Sequence, residues 1–103
     1  MNSDRIKMLE QFAAEDPGDP FNAYALALEW APFDKQKAKE IFDKLLNLHP
    51  EYLPAYYQTA ILYLDLTLNE QATKIIEKGI ALAKQQRDAK TLNELSALLE
   101  END

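Results

Sequence analysis

Few side chains in this sequence have the type and spacing that catalysis or metal binding requires. The chain holds one histidine, His49, and no cysteine, so it offers neither a thiolate nor a pair of imidazoles for a metal ion or a catalytic dyad. The acidic pairs Asp16/Asp19 and Glu100/Glu101 lack the ligand spacing of a known calcium loop. We therefore expect these carboxylates to be solvated, and we expect no enzyme activity, no cofactor and no metal site.

The remaining polar residues give no stronger indication of chemistry. Ser3 and Ser96 have no base beside them in any pattern typical of nucleophilic catalysis. Only two glycines occur, Gly18 and Gly79, which is too few for a loop that binds phosphate. His49 precedes Pro50 at a predicted helix end, where a cation is mildly favourable.

Composition and charge narrow the class of protein further. The 103 residues are enough for one domain, and 47% of them are hydrophobic, which is typical of a globular chain. The net charge of −7 argues against nucleic acid and anionic membranes as partners. No signal-peptide pattern and no run of eighteen apolar residues is present, so we expect a cytoplasmic protein.

The sequence repeats itself with a period of 33 or 34 residues. An offset of 33 aligns Pro17 with Pro50, Ala23 with Tyr56, Ala27 with Ala60, and Trp30 with Tyr63. After position 34 an offset of 34 aligns Ala38 with Ala72, Phe42 with Ile76, and Leu45 with Gly79. A period of this length is typical of repeat proteins built from small helical units.

Each repeat contains two helical patterns, and each pattern begins at a residue suited to a helix start. The predicted caps are Asp19, which precedes Pro20, and Asp34, Asn69 and Asp88, and Pro54 is predicted to open the remaining helix. No segment alternates with a period of two, so we predict no strands. The prediction is an N-terminal half-repeat helix (4–16), repeat 1 (20–50), repeat 2 (53–86) and a C-terminal capping helix (88–101).

The last boundary depends on helical phase. Leu92 lies nine residues after Ala83, which on one continuous helix would place it on the opposite face. A turn near 86–88 instead allows both apolar stripes to face the same core, so we predict a break there.

The pattern of large and small residues resembles the tetratricopeptide repeat family. The first repeat supplies Leu26, Ala27, Trp30, Ala38, Phe42 and Pro50, and the second supplies Tyr56, Ala60, Tyr63, Ala72, Ile76 and Gly79. The sequence departs from the family pattern where Ala23 replaces an aromatic residue, Thr59 a large apolar one, Leu45 a small one and Lys84 a proline. The resemblance implies an all-α fold, a right-handed superhelix of helical hairpins in a single domain over residues 1–103.

A second apolar stripe on the first helix of each repeat is the candidate binding surface. Its residues are Phe21, Tyr24 and Leu28 in the first repeat, and Pro54, Tyr57, Ile61 and Leu64 in the second. In the family this face lines the concave groove in which partner segments bind. The alternative is that the C-terminal helix covers the stripe and makes it ordinary core, which would move the binding surface to the basic second helices.

Two functions remain open on this reading. The first is a non-enzymatic adaptor that holds an apolar or aromatic segment of a protein or peptide partner in the groove. The second is a self-associating structural unit, a homodimer formed through the same apolar surface. Large apolar patches seldom stay bare on a soluble monomer, which favours either of these over an unoccupied surface.

Overall fold

We describe the protein from a computed structural model, which describes residues 2–102. Within that range the chain forms six α-helices and no β-strand, which confirms the all-helical prediction. The helices are α1 (Ser3–Glu15), α2 (Pro20–Trp30), α3 (Lys35–Leu48), α4 (Pro54–Asp65), α5 (Asn69–Gln85) and α6 (Ala89–Glu101). They belong to two compact units, an N-terminal unit that ends at Pro50 and a C-terminal unit that begins at Glu51.

Short polar side chains begin most of the helices. Asp19, Asp34 and Asp88 each accept a hydrogen bond of 3.0 Å from a backbone N–H in the first turn of α2, α3 and α6 respectively. Asn2 does the same for α1, accepting from the N–H of Arg5 at 2.9 Å. These bonds satisfy donors that a helix leaves unpaired at its start, so three predicted starts coincide with observed caps.

The predicted cap of α5 is wrong. Asn69 is the first helical residue, and Leu68, which has no polar side chain, takes the capping position. Thr67 adopts a left-handed backbone with φ of 60°, and the N–H of Leu68 donates to the carbonyl of Tyr63 at 2.8 Å. The chain therefore enters α5 one residue earlier than predicted, and the capping position falls on a side chain that cannot accept a hydrogen bond.

In the N-terminal unit, α2 packs against both α1 and α3. Ile6 and Leu9 from α1 and Leu26 from α2 form a buried cluster, against which the partly buried Trp30 and Ile41 pack. The apolar face of α1 is therefore buried on α2.

Small side chains bring α2 and α3 close together. Ala27 on α2 and Ala38 on α3 are fully buried. Phe42, one helical turn after Ala38 on α3, is buried as well. A methyl side chain at such positions allows close helix packing, while the large ring fills the remaining space.

In the C-terminal unit, α5 packs against α4 and α6, and α4 also contacts α6. The core cluster combines Ala60 from α4, Ile76 from α5, and Leu95 and Leu98 from α6. The capping helix thus contributes two of the four buried residues of this cluster.

Gly79 marks a close approach between helices of the C-terminal unit. A Cβ atom placed at Gly79 would lie 2.8 Å from Cδ1 of Leu95 and 3.0 Å from Cβ of Tyr56. These separations are shorter than van der Waals contact, so the space beside the Tyr56 side chain requires a residue without a Cβ atom.

A turn separates α5 from α6, at the place where the helical phase predicts a break in the helix. Arg87 adopts a left-handed backbone with φ of 58°, and the N–H of Asp88 donates to the carbonyl of Ala83 at 2.9 Å. This is the hydrogen-bond pattern of a left-handed helix end. At the far end of α6, the amide nitrogen of Asn102 donates to the hydroxyl of Thr73 on α5 at 3.1 Å.

Candidate functional site

The apolar stripe of α2 is open to solvent. Phe21 is 57% exposed and Leu28 is 37% exposed, whereas Tyr24 between them is half-buried. The ring of Tyr24 meets the ring of Phe42 edge-on, with 6.4 Å between the ring centroids and 61° between the ring planes. The packing of Tyr24 against α3 therefore anchors a stripe whose two ends are accessible.

The environment of Tyr24 affects the ionisation of its phenol. Burial raises the pKa of Tyr24 above its ordinary value, because the charged form would lose solvation. A tyrosine hydroxyl is already neutral near pH 7, since its ordinary pKa is about 10, and burial favours this neutral form further.

The corresponding stripe of α4 is more enclosed. Pro54 is exposed, but Tyr57, Ile61 and Leu64 are partly buried and pack against the core cluster that contains Leu95 and Leu98 of α6. The C-terminal helix therefore contributes to the cluster on which this stripe packs.

The large apolar side chains exposed in the described range all lie in the N-terminal unit. They are Met8, Phe12, Phe21, Leu28, Phe33 and Leu48. Phe12 belongs by its spacing to the apolar face of α1, yet it is 42% exposed, because Ile6 and Leu9 make the buried contact with α2. Phe33 follows α2 in a turn, where no helical periodicity can predict its burial.

The polar residues that could in principle take part in catalysis or metal binding lie at helix ends and in a loop. The Nε2 atom of His49 lies 3.0 Å from the carbonyl oxygen of Pro17, in the loop between α1 and α2. Ser3 is the exposed first residue of α1, and Asp19 caps α2. Among residues 2–102, no three histidine, aspartate or glutamate side chains are placed to bind one metal ion together.

A concave pocket of about 340 Å³ lies in the N-terminal unit, between the end of α1, the start of α2 and one face of α3. Its lining includes Ala23 and Leu26 of α2 and Leu45 of α3. Ala23, where the family pattern has an aromatic residue, is the feature of the sequence that corresponds to this pocket. The substitution alone does not show that the space remains open.

No helix between residues 2 and 102 combines the length and the apolar character that crossing a bilayer requires.

Two solved structures relate the chain to proteins of known fold. It is similar to a tetratricopeptide repeat domain protein from Salinibacter ruber, whose solution structure is 32% identical over 85% of this chain and 90% of that chain, with a TM-score of 0.80. The crystal structure of the tetratricopeptide repeat domain protein from the same organism is 30% identical over 82% of this chain and 96% of that chain, with a TM-score of 0.78.

A third structure supports the fold alone. The solution structure of a protein from Bordetella parapertussis has a TM-score of 0.81 over 99% of this chain and 89% of that chain, at 19% identity. No family model matches the sequence, and no curated protein matches it significantly.

The sequence identity to the two Salinibacter ruber structures, their coverage and the helical hairpins agree with the resemblance seen in the repeat pattern. The chain therefore belongs to the tetratricopeptide repeat family.

Proposed function

We propose that this protein is a non-enzymatic adaptor that binds a segment of a partner protein through the apolar stripe on the first helix of each hairpin. The stripe consists of Phe21, Tyr24 and Leu28 on α2, and of Pro54, Tyr57, Ile61 and Leu64 on α4. The tetratricopeptide fold is generally a protein-interaction module, which supports the class of function. The observation that carries the proposal is the exposure of Phe21 and Leu28 on one face of α2.

The composition of the α2 stripe favours an apolar or aromatic anchor in the partner. Phe21 and Leu28 provide accessible apolar area, and the half-buried ring of Tyr24 lies between them on the same helix. Aromatic side chains with a polar tip are frequent at the centres of protein interfaces. Some members of the family hold a partner's C-terminal carboxylate with lysine and asparagine side chains, and the stripe offers neither.

The two stripes contribute unequally to this surface. Tyr57, Ile61 and Leu64 already pack against the cluster that includes Leu95 and Leu98, so their remaining free area is smaller. We therefore assign the larger share of the binding free energy to Phe21 and Leu28.

The test selects partner segments without assuming their identity. A random peptide library displayed on phage is screened against the folded chain, and the selected peptides are measured by calorimetry. We expect them to share an aromatic or large aliphatic residue. The double variant Phe21→Glu, Leu28→Glu is expected to weaken their binding by at least about tenfold, because binding would bury unpaired carboxylates against apolar groups.

The matched control is the double variant Met8→Glu, Phe33→Glu, which adds the same two charges at side chains that are 44% and 59% exposed but outside the stripe. All variants should keep the helical circular dichroism of the parent. Peptides that bind the stripe variant as tightly as the parent would contradict the proposal.

The same variants test self-association. If sedimentation shows that the parent is a dimer and that the stripe variant is a monomer, the occupant of the stripe is a second copy of this chain. A parent that is monomeric at all concentrations excludes that alternative.

A further inference from the structure

The two repeats differ at one pair of equivalent positions, which is Tyr56 with Gly79 in the second repeat and Ala23 with Leu45 in the first. In the C-terminal unit the side chain of Tyr56 is 6% exposed and lies beside Gly79. In the N-terminal unit the equivalent residues are Ala23, which is only partly buried, and Leu45, which is buried. Both Ala23 and Leu45 line the open pocket of about 340 Å³, so space remains beside the two residues that correspond to Tyr56 and Gly79 in the sequence alignment.

The pocket has the size and the character of a ligand site. Its volume lies at the lower end of the range of about 300–1,000 Å³ that is typical of such sites. Its apolar lining comes from two helices, with Ala23 and Leu26 on α2 and Ile41 and Leu45 on α3, and we refer to these four residues as the apolar floor.

The wall of the pocket is held by two fixed contacts. Pro17 and Asp19 line it from the loop between α1 and α2. The carbonyl oxygen of Pro17 lies 3.0 Å from Nε2 of His49, and the carboxylate of Asp19 accepts from the N–H of Phe21 at 3.0 Å. The loop is therefore attached to both α3 and α2, so the pocket exists before any ligand enters.

The rim carries charges of both signs in equal number. Lys37 and Lys44 of α3 lie with Glu40 of the same helix and Asp19 of the loop around the apolar floor. In the described part of the chain, none of these four side chains forms an ion pair within 4 Å. A balanced rim offers no net attraction to a carboxylate or an ammonium group, but it complements a neutral hydroxyl that both donates and accepts.

We propose that this pocket binds the side chain of a tyrosine presented by a partner protein. The ring occupies the space that an aromatic side chain of the chain itself occupies in the C-terminal unit, and the phenol meets the charged rim. The site shares no residue with the stripe formed by Phe21, Tyr24 and Leu28, so it goes beyond the adaptor surface proposed above.

The probes are p-cresol and N-acetyl-L-tyrosinamide, titrated into the full chain while methyl resonances are followed by NMR. We expect saturable shifts at the methyl groups of Ala23, Ile41 and Leu45, with dissociation constants on the order of 1–10 mM for ligands of this size. N-acetyl-L-leucinamide is expected to bind more weakly, and equal binding of the leucine and tyrosine amides would overturn the assignment to an aromatic side chain.

The variant Ala23→Tyr places the ring of the second repeat into the first and should weaken p-cresol binding by at least about tenfold, because the pocket is then filled. The double variant Phe21→Glu, Leu28→Glu should bind p-cresol as the parent does, which separates this site from the adaptor stripe. Unchanged affinity in Ala23→Tyr would overturn the proposal.

A measurement on the unchanged chain decides the matter if Ala23→Tyr does not fold. Intermolecular NOEs from the ring protons of p-cresol to the methyl groups of Ala23 and Leu45 are expected. NOEs to Phe21 or Leu28 instead, or no saturable binding at all, would show that the pocket does not take an aromatic ring.

Discussion

The Nε2 atom of His49, at the end of α3, lies 3.0 Å from the carbonyl oxygen of Pro17, 32 residues earlier in the chain. Because a carbonyl only accepts, Nε2 must carry the proton in this bond. The contact fastens the loop between α1 and α2 to the helix that follows, and it is the role the structure assigns to the chain's one histidine.

We expect His49→Ala to reduce the free energy of unfolding by about 0.5–1.5 kcal/mol, the typical net contribution of one hydrogen bond. Urea denaturation measures this change. Amide hydrogen exchange at Gly18 and Asp19 should become faster, since the loop loses its attachment to α3. A variant as stable as the parent, with unchanged exchange, would show that the bond does not hold the loop.

Gly79→Ala should destabilise the protein, although alanine is the better helix former by about 1 kcal/mol. The new Cβ would lie 2.8 Å from Cδ1 of Leu95 and 3.0 Å from Cβ of Tyr56, and overpacking of this kind costs about 1–3 kcal/mol. Thermal unfolding followed by calorimetry gives the net change.

Gly18→Ala is the matched control for that substitution. The nearest atom to a Cβ at Gly18 is Oδ1 of Asp16 at 3.6 Å, which is ordinary contact, so we expect a change within about 0.5 kcal/mol. If Gly79→Ala proves stabilising, Leu95 and Tyr56 must move apart more readily than the packed cluster indicates.

Thr59→Val should stabilise the protein by about 1 kcal/mol. The side chain of Thr59 is fully buried, and its hydroxyl has no hydrogen-bond partner within residues 2–102. An unsatisfied buried hydroxyl costs about 1–3 kcal/mol, and valine keeps the shape while removing it. Thr59→Ser, which keeps the hydroxyl and removes the methyl group, should instead lose stability in the same denaturation assay.

Asp88→Asn should make stability less sensitive to acid. Hydrogen bonding from the backbone N–H of Thr91 lowers the pKa of Asp88 below its ordinary value of about 4. A carboxyl whose pKa is lower in the folded state contributes stability above the unfolded pKa, and this contribution is lost as the pH falls through the folded pKa. The advantage of the parent over the variant in free energy of unfolding should therefore decrease as the pH falls below about 4. A difference that is independent of pH from 2 to 7 would contradict the linkage.

The local signals in the sequence predict the helices well. Asp19, Asp34 and Asp88 act as caps because the short carboxylate before a helix can accept a hydrogen bond from an N–H of the first turn. The helical phase of Leu92 relative to Ala83 predicts the break near 86–88. Asn69 fails as a cap because the left-handed backbone at Thr67, a residue with no special preference for it, sets the entry into α5.

Burial of particular faces depends on partners that periodicity does not identify. The α4 stripe has the same spacing as the α2 stripe, but Tyr57 and Ile61 pack against a cluster supplied partly by α6. Likewise, the exchange of an aromatic residue for Ala23 is visible in the repeat alignment, whereas the open pocket beside it depends on how Leu45 and the loop before α2 pack. Both outcomes require the three-dimensional arrangement of side chains.

The aromatic residues also give the two units separate optical reporters. Trp30 is the chain's single tryptophan, and it packs against the cluster of the N-terminal unit. Its emission therefore reports on the packing of that unit, whereas far-ultraviolet circular dichroism reports on helices in both units. Comparing the two signals during denaturation distinguishes one cooperative transition from two, and so shows whether either half of this short repeat protein persists without the other.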